Sequence, residues 1–519
     1  MPIWQAMKLN FENSLYILTC TFEERVKAQE AKFYFDDSLK KWVTDSAGKA
    51  KHFIQYADDK AKLKILQNCL TINEYTAPLP APIGKTFREY QHRAGQWALS
   101  RNRSYLALDM GLGKTPIAVG ITNARPGKTL FITPPFLKFN VEREIKAWSI
   151  WFSSVAIVKG PKDKEAFEAD YVILPDSILH RKEILDEIKR YNFEWCFIDE
   201  AHRFCNESLR TKALFGHGNK PGIISHAIRV VSMSGTPMPN RPKELWPVIK
   251  ACAHDLINGI GYFDYAKKYC AGYMSQWGFE DKGESNLDEL SEKISSYMLR
   301  QTKKECLTEL PEKIEQVIYL DMSLPKSVIA FEAEAVLNAG GLDNAINELL
   351  SGISMGDIAT YRREMGEAKV LECCEFIASQ IEDTKENFII FAYHKDVVKK
   401  IALYFESDYS PFVITGDTPM LDRQKMVDAF QRGERRLFVG NIHAMGMGLT
   451  LTAATQVRFV EYDWSDSINQ QASDRAHRLG QNGDVIVQYL VKQNTLDEYI
   501  LKRLLEKRET VDKFFKGAK

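Results

Sequence analysis

The chain has 519 residues, 45% hydrophobic and 27% charged. Its 69 Lys and Arg balance 69 Asp and Glu, which excludes a polybasic tail or a globally basic surface but not a local groove for phosphate. Nine cysteines, at 20, 69, 196, 205, 252, 270, 306, 373 and 374, form no C-x-x-C pair and are odd in number, so neither a zinc ribbon nor a disulfide scaffold is expected.

At roughly 100–200 residues per domain, three or so domains are expected. The N-terminus, MPIWQAMKLNFENSLYILTC, carries polar and charged residues within its apolar stretch and does not read as a signal peptide. No apolar run reaches the roughly 18 residues of a membrane span. A soluble intracellular protein without membrane contact is the expectation.

Residues 1–76 read as a small α+β domain. SLYILTC (14–20) has the pattern of a strand, FEERVKAQEA (22–31) that of a helix, and AKFYFDDSLKKWVTD (31–45) that of a hairpin turning at DDSLKK. HFIQYADDKAKLKILQNCL (52–70) predicts a second helix. APLPAPIGKT (77–86), with three prolines and a glycine, reads as a linker.

Residues 87–310 alternate helical patterns with the short apolar runs TLFITPP (129–135), YVILP (171–175), WCFIDE (195–200) and RVVSMSGTP (229–237). Continuous apolar runs of this length suit parallel strands covered on both faces. Residues 311–385 read as a mostly helical connecting segment. Residues 386–519 hold a second series, NFIIFAY, FVITG, RLFVGNI, QVRFVEYD and DVIVQYLV, closed by a C-terminal helix. The expected fold class is α/β, with two doubly wound parallel-sheet lobes.

After SYLALD comes MGLGKTPIAVGI. Gly111, Gly113, Lys114 and Thr115 form G-x-G-K-T at the opening of a helix. Glycines let backbone N–H groups approach phosphate oxygens, and the helix N-terminus favours negative charge. Lys114 can reach β- and γ-phosphates, and Thr115 can offer a hydroxyl to Mg²⁺. Leu108 stands where the strict phosphate-loop pattern has its first glycine. Taken alone, the segment also suits a glycine-rich turn before a helix.

WCFIDEAHRF places Asp199 and Glu200 at the C-terminal end of a buried strand, where doubly wound sheets bind ligands. Asp199 can hold Mg²⁺, and Glu200 can orient and deprotonate an attacking water. His202 alone would read as a structural histidine. In QQASDRAHRLGQ, Arg475 and Arg478 are three apart, which predicts one shared helix face. Guanidinium suits transition-state phosphate charge, although the segment alone reads equally as a solvated basic face. NIHAMGMGLTLTAA (441–454) is a Gly- and Thr-rich loop, suited to nucleic-acid phosphates or to a flexible connection.

Together these segments, over residues 87–505, resemble the Swi/Snf-like ATPases of helicase superfamily 2. FREYQHRAGQWAL resembles the adenine-reading segment, LALDMGLGKT motif I, LFITPPFLKFNVEREIKAW motif Ia, DEAHRFCNESLRTKALF motif II and SGTPMPN motif III. NFIIFAYHK, GMGLTLTAA and QASDRAHRLGQ resemble motifs IV, V and VI. Where the family has Asp-Glu before Met-Gly, this chain has Leu108-Asp109. The resemblance implies RecA-like lobes with helical insertions that close on ATP and Mg²⁺. Nucleotide binding falls to Gln91, Gly111, Leu112, Gly113, Lys114, Thr115, His202 and Gly448, and metal binding to Thr115 and Asp199. Lys114, Asp199, Glu200, Arg475 and Arg478 are catalytic by the same carry-over. Nucleic-acid contacts fall to Lys138, His394, Lys395 and Thr450.

The segments NRPKELWPVIK, YFDYAKKYC, GESNLDELSEKISSYMLRQTKKE and LPEK, with KFYFDDSLKKWV in the N-terminal block, resemble the fork-remodelling, annealing-helicase branch. That implies a double-stranded DNA translocase acting on forked or branched DNA, with single-strand contact by the N-terminal domain. Trp42, Phe33, Tyr34 and Phe35 could stack on unpaired bases, and by strand alternation half of them must face the core. A stabilising cap is the competing reading of this block. A motor that displaces proteins such as RNA polymerase, a slow ATP-switched DNA clamp, and a motor on RNA are the competing readings of the whole. The compact chain points to a cytoplasmic protein of a bacterium or of a virus in a bacterial host.

Overall fold

The computed structural model describes residues 7–12, 15–44, 47–58, 61, 65, 74–151, 153–217, 220–276, 278–338, 340–342, 345–346, 356–445 and 449–516. The chain divides into two compact units, Met1–Thr302 with Lys513–Lys519, and Lys303–Asp512.

The first unit opens with an antiparallel sheet of β1 (Lys8–Glu12), β2 (Leu15–Thr19), β3 (Tyr34–Asp36) and β4 (Lys41–Thr44), in the order β1-β2-β4-β3. Leu9, Tyr16, Leu18 and Phe33 share its buried core with Ala28 of the helix Arg25–Glu30. The hairpin expected over 31–45 forms. Asp36 Oδ1 accepts from the Ser38 and Leu39 N–H groups at 2.9 and 3.1 Å and so closes the turn. The helix expected over 52–70 falls largely outside the described residues, and Ile54–Tyr56 is a 3-10 turn.

A parallel sheet follows, built from β5 (Arg103–Leu108), β6 (Thr129–Thr133), β7 (Val155–Ile157), β8 (Tyr171–Pro175) and β9 (Phe193–Asp199). After a short hairpin, β10 (Gly216–His217) with β11 (Lys220–Pro221), comes β12 (Ala227–Met233). A second hairpin, β13 (Tyr273–Ser275) with β14 (Gly278–Glu280), precedes β15 (Met298–Gln301). The seven strands of the sheet run in the order β15-β5-β12-β9-β6-β8-β7. Every residue of β5, β6 and β8 is buried, which is why these strands read as unbroken apolar runs. Between β5 and β6, neighbours in sequence, stand β12 and β9. The C-terminal ends of β5, β12 and β9 therefore adjoin where doubly wound sheets bind ligands.

The second unit holds six parallel strands, β16 (Lys313–Leu320), β17 (Phe388–Ala392), β18 (Phe412–Ile414), β19 (Leu437–Asn441), β20 (Gln456–Phe459) and β21 (Val485–Lys492). Their order is β16-β21-β20-β17-β19-β18. Alternate residues of β17 feed different cores: Ile389 and Phe391 one, Phe388, Ile390 and Ala392 the other. β16 corrects the helical reading of residues 311–385. KIEQVIYL is an edge strand whose outer positions stay exposed, paired with β21 along its whole length. The rest of that segment is helical where described, in Lys326–Asn338, Gly356–Ala368 and Val370–Asp383. Among the described residues no helix is long and apolar enough to cross a membrane.

Candidate active site

β5 ends at Leu108, and the helix Lys114–Ala124 begins six residues later. Between them Gly111 and Gly113 have φ of +85° and +79°, a region glycine enters without steric cost. A Cβ at Gly113 would come within 2.5 Å of Gln91 Nε2. Gln91 is buried against this loop. Its Nε2 donates to the Leu112 carbonyl at 3.2 Å, and its Oε1 accepts from the Arg88 N–H at 2.9 Å, so the amide is held in one orientation. Lys114 Nζ donates to the Leu108 carbonyl at 2.9 Å. Burial draws its pKa down, against the opposing carboxylates of Glu200, Asp199 and Asp109. Thr115 is the second residue of the helix, and Pro116 sits where its missing N–H costs no hydrogen bond.

Asp199 closes β9 and is buried. Thr133 Oγ1, at the end of β6, donates to its Oδ2 at 3.3 Å, and the Glu200 N–H donates to its Oδ1 at 3.1 Å. Burial, then the Glu200 charge, push its pKa up to about 7 against the Lys114 ammonium. Glu200 has φ +48°, a left-handed conformation unusual for a side chain with a Cβ. Its Oε2 lies 3.3 Å from His202 Nδ1. That same ring nitrogen is 2.8 Å from Ser234 Oγ, which also accepts from the Thr236 N–H at 3.0 Å. A Cβ at Gly235 would approach Met110 Cγ to 3.1 Å, so the segment after β12 lies against the glycine loop. Gln91, Lys114, Asp199, Glu200 and His202 thus fall within one connected neighbourhood.

Arg300 belongs to none of the motifs that mark this site in the sequence. On the edge strand β15, its Nη2 is 2.6 Å from Asp109 Oδ1, and its Nη1 donates to the carbonyls of Ala107 at 3.0 Å and Gly235 at 3.4 Å. No local spacing signals this contact, because it depends on β15 pairing beside β5.

In the second unit the expectation of one helix face for Arg475 and Arg478 is corrected. The helix Asp466–Ser473 ends before them, with Asp474 as its C-cap. They lie in the following turn yet still converge. Both Nη1 atoms reach the Leu449 carbonyl, at 3.5 and 3.3 Å, and Arg478 Nη1 also donates to Thr450 Oγ1 at 3.1 Å. Gly448 lies outside the described residues.

The remaining candidates are dispersed. His394 Nδ1 is 2.7 Å from Glu461 Oε1, while the Tyr393 and His394 N–H groups each donate to Glu461 Oε2 at 2.9 Å. Lys395 Nζ is 2.8 Å from both carboxylate oxygens of Asp417 on the surface. Lys138 begins the helix Lys138–Trp148, its ammonium 5.0 Å above the exposed Phe139 ring. Trp42 faces Phe35 across β4 and β3, the ring centroids 5.5 Å apart. Phe33 is buried, Tyr34 and Phe35 are exposed, and Trp42 packs against the N-terminal core.

The SNF2-related domain family matches residues 90–341, and the helicase conserved C-terminal domain matches residues 368–480. The SWI/SNF-related matrix-associated actin-dependent regulator of chromatin subfamily A-like protein 1 of Xenopus tropicalis is 30% identical over 436 residues, covering 82% of this chain and 44% of that protein. The DNA annealing helicase and endonuclease ZRANB3 of Homo sapiens is 29% identical over 447 residues, covering 82% and 40%. The chain therefore spans less than half the length of these curated relatives. Among solved structures, the Sulfolobus solfataricus SWI2/SNF2 ATPase core in complex with dsDNA matches at a TM-score of 0.41 and 22% identity, covering 84% of this chain and 94% of that one.

Proposed function

We propose that this chain, which belongs to the SNF2-related family of helicase superfamily 2 close to its annealing-helicase branch, is a double-stranded DNA translocase driven by ATP hydrolysis and acting on forked or branched DNA. The observation that carries the reading is the meeting of the Gly111–Thr115 loop, Gln91 and the Asp199–Glu200 pair at the C-terminal strand ends of the seven-stranded sheet.

The residues there fit a magnesium nucleotide. Two glycines at positive φ give the loop a course that side chains would strain, and the missing Cβ at Gly113 leaves room for the Gln91 amide. Asp199 and Thr115 offer the hard oxygen donors magnesium prefers. When bound, Mg²⁺ would offset charge on the β- and γ-phosphates. Gln91 would read the adenine, and Lys114 with the helix N-terminus would hold the phosphates. Glu200 would orient the attacking water and take its proton, with His202 linking it to Ser234. An Asp199 pKa near 7 belongs to a buried carboxylate beside a second one, and a cation at its oxygens would restore the charged form.

Arg475 and Arg478, with Gly448, would meet the transferring phosphoryl group when the two units close on nucleotide, and hydrolysis would release that closure. Lys138, His394, Lys395 and Thr450 would follow the DNA backbone, a grip that needs no sequence reading. The exposed Tyr34 and Phe35 of the N-terminal hairpin, backed by Trp42, would stack on unpaired bases at a junction.

The test is displacement of a triplex-forming oligonucleotide from linear duplex, with reannealing of a forked substrate alongside. Displacement is expected with ATP and not with a non-hydrolysable analogue. Deleting residues 1–76 is expected to lower fork conversion and spare duplex-stimulated hydrolysis. ATP-dependent binding without displacement would contradict translocation and favour a slow clamp.

A further inference from the structure

Lys303 opens the second unit and is 7% exposed. A buried ammonium is costly unless paired. Lys303 Nζ lies 2.7 Å from Asp474 Oδ2 and donates to the His477 carbonyl at 2.8 Å. The other Asp474 oxygen is 3.1 Å from Nζ of Lys313, the first residue of β16. Burial pushes the Asp474 carboxyl up, yet the charges and hydrogen bonds of Lys303 and Lys313 hold it far below the usual carboxylate range. His477 is buried as well, and burial lowers its pKa. Its neutral ring donates from Nε2 to the Pro311 carbonyl at 2.7 Å.

Arg475 and Arg478 are interleaved with these anchors in the run Asp474-Arg475-Ala476-His477-Arg478. The turn lies past the end of its helix, tied back to it by the Arg475 N–H donating to the Ala472 carbonyl at 3.1 Å and the His477 N–H donating to the Ser473 carbonyl at 3.4 Å. Contacts from elsewhere in the unit hold it further, among them Gln481 Nε2 donating to the Ala476 carbonyl at 3.0 Å. On one side the Leu451 N–H donates to the Arg475 carbonyl at 2.9 Å. On the other, residues 303–313 grip Asp474 and His477. That stretch follows β15 directly along the chain, three residues after Arg300 has bonded Asp109 of the glycine loop.

We propose that Lys303, with Lys313 in support, is a positioning residue for hydrolysis, which by clamping Asp474 and the His477 carbonyl sets the guanidinium groups of Arg475 and Arg478. The role rests on the reading of those arginines as transition-state residues. Small displacements of such groups cost large factors in rate, so the loss belongs in kcat.

The test uses the full chain with Lys303→Met, alone and combined with Arg478→Ala. The readouts are DNA-stimulated turnover and the affinity of a fluorescent non-hydrolysable ATP analogue. The expected result is a kcat lower by about tenfold or more with analogue affinity held within about twofold. Lys303→Arg should recover most of the loss. A smaller fractional loss is expected when Lys303→Met is added to Arg478→Ala, because one of the two arginines through which Lys303 acts is then already gone. Lys313→Met, which breaks the other contact to Asp474, should show the same split and serves where Lys303→Met does not fold. Wild-type kcat in both lysine variants, or an equal fractional loss in the Arg478→Ala background, would overturn the proposal. Undiminished kcat in Arg478→Ala itself removes the reading on which it rests, and is recognised without any change at Lys303.

Discussion

Arg300 Nη2 lies 2.6 Å from Asp109 Oδ1, so an edge strand neutralises an acid two residues before Gly111. The Asp109 charge also bears on Lys114. Removing Arg300 leaves that carboxylate without its guanidinium partner beside the loop that would take the phosphates. Arg300→Ala is expected to raise KM for ATP by about tenfold, the scale of one hydrogen bond to a charged group. Asp109→Asn in the same chain should recover part of the loss, read by steady-state ATPase kinetics. Strict additivity of the two changes would contradict the pairing as the cause.

Lys114→Ala and Glu200→Gln separate binding from chemistry. Lys114→Ala is expected to lose both nucleotide affinity and turnover. Glu200→Gln keeps the side-chain volume and removes the base, so it should bind ATP and lose turnover by about a hundredfold or more. Equilibrium binding of a labelled nucleotide beside turnover tells the two apart. Substantial hydrolysis by Glu200→Gln would remove the assigned role.

Gly113→Ala is expected to break the loop. An alanine at φ +79° is strained by about 1–2 kcal/mol, and its Cβ would meet Gln91 Nε2 at 2.5 Å. Loss of ATP binding with a small fall in thermal midpoint is the expected pattern, measured by isothermal titration and scanning calorimetry. Wild-type affinity would show that the loop can relax around the added methyl.

Much of this site is legible in the sequence, because Gly111 to Thr115 and Asp199–Glu200 are contiguous runs whose chemistry needs adjacent residues. Arg300 with Asp109, and Lys303 with Asp474, are not legible, since each pair is distant in the chain and meets only through strand pairing or a turn. Arg475 and Arg478 illustrate the limit of spacing arguments. Three residues apart suits a helix face, but the helix stops at Ser473, where Asp474 turns to the lysines. β16 shows a related limit, inside a segment whose sequence is mostly helical in pattern. An edge strand lacks the continuous apolar run that marks β5 or β6, so KIEQVIYL does not stand out from the helical stretches that follow it.

Acid should weaken the second unit through Glu315. Burial pushes its pKa up, but the charges of Lys313 and Arg508, with hydrogen bonds from Gln470 and Arg508, leave it at about 2 against an ordinary 4.5. A depressed folded pKa gives stability that is present above the unfolded value and lost as pH falls through the folded one. Denaturant midpoints should therefore fall between about pH 4.5 and pH 2. Glu315→Gln should flatten that fall without removing it, because Asp474 titrates in the same direction. Identical pH slopes for the two proteins would contradict the assignment.

The central claim is that hydrolysis at the Gly111–Thr115 and Asp199–Glu200 site is coupled to DNA. Steady-state ATPase rate is the direct measurement, taken at matched salt with no nucleic acid, linear duplex, single strand, forked DNA and RNA, for the wild-type chain and Glu200→Gln. The account predicts hydrolysis stimulated by duplex DNA, most strongly by forked DNA, and absent in Glu200→Gln. Stimulation by RNA alone, or a rate indifferent to nucleic acid, would contradict it.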